Sequence, residues 1–122
     1  MQNVVCWFEI PVSDFQRAVK FYGTIFDVQI KEVEMFDIKM GIFPTDGKNV
    51  SGALVKGDDY IPSDEGALVY LNGGDNLQVV LDRISENNGQ IIVQKTKISP
   101  EMGFFAIFID TEGNMMALHS LA

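Results

Sequence analysis

A single cysteine, Cys6, leaves no partner for an intrachain disulfide among the 122 residues, which fits a reducing, cytoplasmic compartment. Positive charge is scarce. Nine Lys and Arg stand against seventeen Asp and Glu, a net charge of −8. Such a chain repels phosphate backbones and anionic lipid, so neither nucleic acid nor membrane is expected as a partner, and a cationic or neutral ligand is favoured over an anion. The longest unbroken apolar run, Phe104 to Ile109, falls far short of the ~20 residues that span a bilayer. The opening stretch has no basic region, and Glu9 and Asp14 interrupt its only apolar run, so no secretory segment is expected. Histidine occurs once, at His119, and arginine twice, at Arg17 and Arg83. What the chain does have is apolar side chains, 47% of the total. A chain of this size buries roughly 65–70% of its unfolded surface and needs neither disulfides nor a structural metal.

Residues 13–26 place Phe15, Ala18, Val19, Tyr22, Ile25 and Phe26 at helical spacing behind Ser13, with Gln16 three residues on. This predicts a first helix capped by Ser13. Asp75, followed by Gln78 and by Leu77, Val80, Leu81 and Ile84, predicts a second, ended by Asn87-Asn88-Gly89 with glycine as the closing residue. Each helix follows one extended run, 4–12 or 67–72, and precedes three more: 28–34, 36–43 and 50–55, then 90–98, 103–109 and 114–120. Both halves therefore read β-α-β-β-β. Their closing turns, Asp46-Gly47-Lys48-Asn49 and Thr111-Glu112-Gly113-Asn114, lead into Gly52-Ala53-Leu54-Val55 and Met116-Ala117-Leu118-His119, which align on a shared Ala-Leu pair. The expected organisation is one domain over 1–122, with module one at about 3–55, a connector at 56–65 and module two at about 66–121, the modules sharing a core.

The phrase Phe8-Glu9-Ile10-Pro11-Val12-Ser13-Asp14-Phe15-Gln16-Arg17-Ala18-Val19-Lys20-Phe21-Tyr22, the phrase Asp110-Thr111-Glu112-Gly113-Asn114 and the internal repeat together resemble the vicinal oxygen chelate superfamily. That superfamily includes glyoxalase I, the bleomycin resistance proteins and the extradiol dioxygenases. The resemblance covers essentially the whole chain. It implies an α+β fold of two tandem β-α-β-β-β modules whose curled sheets form a cup for a ligand, often with a divalent metal, and a homodimer. The metal-ligand positions it implies fall at Trp7, near Ala53, between Ala67 and Val69, and near Ala117, and none of these residues can ligate. No metal cofactor is therefore expected. The alternative is an atypical zinc, nickel or manganese ion touching Glu9 and His119, with water or a partner chain supplying the rest. One histidine excludes a two-histidine iron dioxygenase unless another chain completes it. Glutathione-type recognition lacks its arginine forks, because both arginines lie in the predicted helices.

Alternation along the first strand puts Cys6, Phe8, Ile10 and Val12 on a packed face, with Cys6 as a buried packing residue, and turns Trp7 and Glu9 toward the cup. His119 shares the face of Ala117. Glu9 and His119 are thus the candidate catalytic pair, the carboxylate orienting the imidazole for acid or base work, or else a hydrogen-bonded link without chemistry. Trp7, Met40, Phe43, Tyr70 and Phe105 are the candidate ligand-binding wall. The 57–65 loop, carrying Tyr60 and Ile61 among acids, reads as a lid or as a solvated connector. The expected function is binding of a small, largely apolar or aromatic molecule in the cup. The alternative is a lyase or isomerase acting on a small carbonyl compound.

Overall fold

Ser13 does not cap the first helix. Its backbone N–H donates to Glu112 Oε1 at 2.9 Å, from the far end of the chain. The cap passes to Asp14, whose extended backbone lets Oδ1 accept from Arg17 N at 3.1 Å. Helix α1 then runs Phe15–Phe26 and ends on Asp27 in the left-handed region. Helix α2, Leu77–Glu86, is capped by Asn76 rather than Asp75, its Oδ1 accepting from Gln78 N at 3.0 Å. Its exit also differs from expectation, since Asn88 takes the left-handed conformation at φ 71°. Asparagine tolerates that geometry. Gly89 serves a different need, because a Cβ there would lie 2.4 Å from Ile84 Cγ2.

The computed structural model describes residues 3–122. Strand β1 spans Trp7–Pro11, and after α1 come β2 Lys31–Met35, β3 Ile38–Ile42 and β4 Ser51–Lys56. In the second half β5 spans Tyr70–Asn72, and after α2 come β6 Gln90–Ser99, β7 Gly103–Ile109 and β8 Met115–Ser120. This is the expected β-α-β-β-β pattern twice over. Each module forms its own four-stranded mixed sheet, in the orders β1-β4-β3-β2 and β5-β8-β7-β6, and the sheets do not close on each other. The first strand runs parallel to the last in both, with Trp7 opposite Ser51 and Glu9 opposite Ala53, and with Tyr70 opposite Ala117 and Asn72 opposite His119.

One cluster of buried side chains draws on both modules. Ile10 and Leu54 from one sheet, and Phe108 and Leu118 from the other, pack with Phe21 of α1 and Leu81 of α2. Phe21 and Phe108 lie 6.3 Å apart between ring centroids. A smaller cluster, Met40, Ala53 and Val55, lies on the opposite face of the first sheet and is covered by Tyr60 of the connector. Cys6 is not a packing residue: it is exposed, because β1 and its alternation begin only at Trp7. Among the described residues no helix is long and apolar enough to cross a membrane.

A polar seam also joins the modules. Tyr22 Oη donates to Asp110 Oδ2 at 2.6 Å in the interior. Glu112 accepts from the N–H groups of Ser13 and Asp14 and from Arg17 Nε at 2.7 Å, while Asn114 Nδ2 donates to the Pro11 carbonyl at 2.7 Å. The turn that closes module two is thereby fastened to the start of α1.

Candidate functional site

The structure gives Glu9 and His119 separate partners. Glu9 Oε1 accepts from Tyr60 Oη at 2.9 Å, and Oε2 lies 3.4 Å from Trp7 Nε1. The first bond pushes the Tyr60 phenol above its ordinary pKa, because the neighbouring carboxylate holds the proton on the hydroxyl. His119 Nε2 lies 2.6 Å from the Met102 carbonyl. Among the described residues no hydrogen bond links the two candidate catalytic residues, which make these two contacts instead. Parity along a strand carries no information on how the two sheets stand relative to each other.

Three of the five expected ligand-binding residues do meet. Trp7, Phe43 and Tyr70 line a cleft of about 970 Å³ together with Phe8, Val50 and Leu68. The cleft lies between the β1 side of the first sheet and β5 of the second. Gly52 is what lets Phe8 stand there, since a Cβ on it would fall 2.4 Å from the Phe8 carbonyl oxygen and 2.6 Å from its ring. The Phe8 ring stacks obliquely on Phe43 at 5.9 Å, and Phe43 meets Tyr22 edge-on at 5.8 Å, so one wall is braced by the core. Trp7 is 40% exposed and Tyr70 53%, which leaves both rings open to an incoming molecule. Among the described residues no Asp, Glu, Lys, Arg or His lines this cleft. Met40 lies elsewhere, in the cluster under Tyr60, and Phe105 stands across the ladder from His119. Sequence reasoning missed Val50 and Leu68, whose signal was only that each is an apolar residue beside a strand terminus.

A second hollow, of about 1020 Å³, opens on the other side of β5. It is lined by His119, Met102, Ile98, Leu121, Asn72 and Asp75, and it shares Tyr70, Leu71, Asn72 and Gly74 with the cleft.

The positions at which the resemblance implies metal ligands do not fit a cation. An indole N–H only donates, and the Ala53 and Ala117 methyl groups carry no lone pair. Among the described residues no group of three or more His, Cys, Asp or Glu side chains could hold a metal ion.

The strongest electrostatics lie at the seam rather than in the cleft. Burial pushes the Tyr22 phenol well above its usual range, and the Asp110 charge and hydrogen bond add to it. Burial also pushes Glu112 upward. The Arg17 guanidinium, the Asp14 and Ser13 N–H groups and the Thr111 hydroxyl outweigh that effect and hold its carboxyl below the ordinary value. These groups satisfy one another, so the seam fixes the relative placement of the modules and offers no spare valence to a ligand.

The sequence profile of the Glyoxalase/Bleomycin resistance protein/Dioxygenase superfamily matches residues 5–118. A glyoxylase-like domain-containing protein of Didymella fabae is 29% identical, over 90% of this chain and 88% of its own. Among solved structures, an antibiotic binding protein from a Streptomyces species superposes with a TM-score of 0.66 at 21% identity, covering 98% of this chain and 97% of that one. The genomically encoded fosfomycin resistance protein of Listeria monocytogenes superposes at 0.67 with 16% identity, covering 98% and 91%. At these identities the two structures speak to the fold alone.

Proposed function

This chain belongs to the glyoxalase/bleomycin resistance protein/dioxygenase superfamily, and from that premise we propose that it binds a small, neutral, largely aromatic molecule without the usual metal and releases it unchanged. The observation that carries the reading is the meeting of Trp7, Phe43 and Tyr70 in one cleft lined by no charged side chain, in a protein whose net charge is −8. Aromatic rings standing partly exposed around an uncharged hollow gain most by covering a flat apolar surface. The absence of charge in the lining narrows the ligand from cationic or neutral to neutral. A fold neighbour described as an antibiotic binding protein is consistent with binding as the whole activity. The separation of Glu9 from His119 argues against an acid-base pair at work. The same reading keeps a cytoplasmic setting, where the exposed Cys6 thiol stays reduced, and a homodimer.

Trp7 is the only tryptophan, so its indole N–H gives a single, unambiguous signal in a proton–nitrogen spectrum. Titration with a panel of neutral planar aromatics is expected to shift that signal. Trp7→Ala should weaken binding about tenfold or more, as for a central aromatic anchor. Ligand recovered chemically altered after incubation, or stoichiometric zinc, nickel or manganese in the purified protein, would replace this reading with the lyase or isomerase alternative. An unshifted Trp7 signal across the panel defeats it.

A further inference from the structure

His119 stands with its Nε2 2.6 Å from the Met102 carbonyl oxygen. A carbonyl only accepts, so Nε2 carries the hydrogen, and in the neutral ring Nδ1 is left as a lone-pair acceptor. No hydrogen bond engages that Nδ1 within the described chain. The hollow that His119 lines is bounded by the apolar Ile98, Met102 and Leu121 and by the polar Asn72, Asp75 and Ser120. A free acceptor on a half-buried residue that lines a hollow is matched by a ligand hydroxyl.

This hollow is continuous in its lining with the aromatic cleft. Both include Tyr70, Leu71, Asn72 and Gly74, so the three-residue β5 forms a saddle between them. β5 is an edge strand. Toward β8, the Val69 carbonyl accepts from Ala117 N at 3.0 Å and Gly73 N donates to the His119 carbonyl at 2.7 Å. In a parallel ladder alternate residues bond to one neighbour, which turns the backbone groups of Tyr70 and Asn72 to the free edge. The saddle between the two hollows therefore offers peptide donors and acceptors rather than a bare hydrocarbon ridge.

We propose that the cleft and the His119 hollow form one bipartite site for an elongated aromatic alcohol or phenol, its uncharged rings against Trp7, Phe43 and Tyr70 and its hydroxyl donating to His119 Nδ1 across β5. This rests on the binding reading above and adds the chemical class of the ligand and the direction in which it lies. His119 is here a recognition residue. No bond is made or broken.

The chain's single histidine and single tryptophan report on the two ends independently in one spectrum. para-Phenylphenol, its methyl ether and biphenyl serve as probes, titrated into the whole protein at a pH where the phenol is neutral. All three are expected to shift the Trp7 indole signal. Only the phenol is expected to shift the His119 ring signals, and to bind about three- to tenfold more tightly than the ether, the usual worth of one hydrogen bond. His119→Phe should bring that ratio to one, and the wild-type ring signals stand as the independent check should the variant fold poorly. Equal affinities for the phenol and the ether, with His119 unmoved, overturn the hydroxyl assignment while the binding reading stands. A phenol that moves His119 with no effect at Trp7 overturns the bipartite site. Silence at both residues for all three probes overturns both readings.

Discussion

In the first module the turn at 46–49 folds around Asp46, whose Oδ1 accepts from the N–H groups of Lys48 and Asn49 at 2.8 and 3.0 Å. In the second, the turn at 110–114 folds around Asp110, whose Oδ1 accepts from Glu112 and Asn114 at 2.8 and 2.9 Å. The local chemistry is the same, an aspartate organising the backbone that follows it. The residue two positions on differs. Glu112 reaches the start of α1 and closes that side of the molecule. Lys48 points into water, its whole turn is exposed, and the corresponding side stays open as the aromatic cleft. The carboxylate accepts from the N–H groups that precede a helix, which an ammonium, carrying only donors, cannot do. A second asymmetry points the same way. Module one sets Phe8 beside Gly52 and so pushes an aromatic ring to the open side. At the register position of Gly52, module two carries Met116, which is buried.

Breaking the closed side should cost most. Glu112→Ala strands the Ser13 and Asp14 N–H groups and frees Arg17, and is expected to lower unfolding free energy by about 2–4 kcal/mol, read as the shift in a urea midpoint. Arg17 is half exposed, so water rather than the protein takes up its charge, and Arg17→Ala should cost far less than the change at Glu112. Tyr22→Phe removes one buried hydrogen bond, leaves Asp110 Oδ2 its bond to Asn114, and should cost about 1–2 kcal/mol. Acid should erode the same seam. The Glu112 carboxyl is held below its ordinary value, so its contribution is present above the unfolded-state pKa of roughly 4.3. It is lost as the pH falls through the lower folded-state value. Glu112→Gln should flatten that part of the stability profile. A wild-type profile with the same slope as Glu112→Gln would mean that the seam is not electrostatic. The smallest effect is expected at the open turn, where Lys48→Glu should move stability by no more than about 0.5 kcal/mol. A larger gain there would mean that the first turn can also be made to close.

Much of the architecture was legible because it rests on local rules. The periodicities of Phe15 to Phe26 and of Leu77 to Ile84 gave both helices, and the Ala-Leu pairs at 53–54 and 117–118 aligned the two modules in the register the sheets adopt. Capping was missed by one residue at each helix start. Asp14 and Ser13 are equally good caps in isolation, and Glu112, nearly a hundred residues away, holds the N–H groups of both. The site was legible residue by residue but not as an assembly. Trp7, Phe43 and Tyr70 are large apolar residues in or beside the strands. Met40 is another such residue and lies beneath Tyr60 instead.

The sequence by itself determined the two modules, their shared apolar core and the non-ligating chemistry of Trp7, Ala53 and Ala117, where the family resemblance implies metal ligands. Side-chain period and residue chemistry are properties of each segment alone. The tertiary structure decided which side of the molecule closed and which stayed open, that Glu9 answers to Tyr60 and His119 to Met102, and that β5 lies between two hollows. Each of these depends on where one sheet stands relative to the other. That placement is held by the shared core and by polar contacts across the chain, among them a buried carboxylate meeting backbone N–H groups, a contact with no periodicity to betray it.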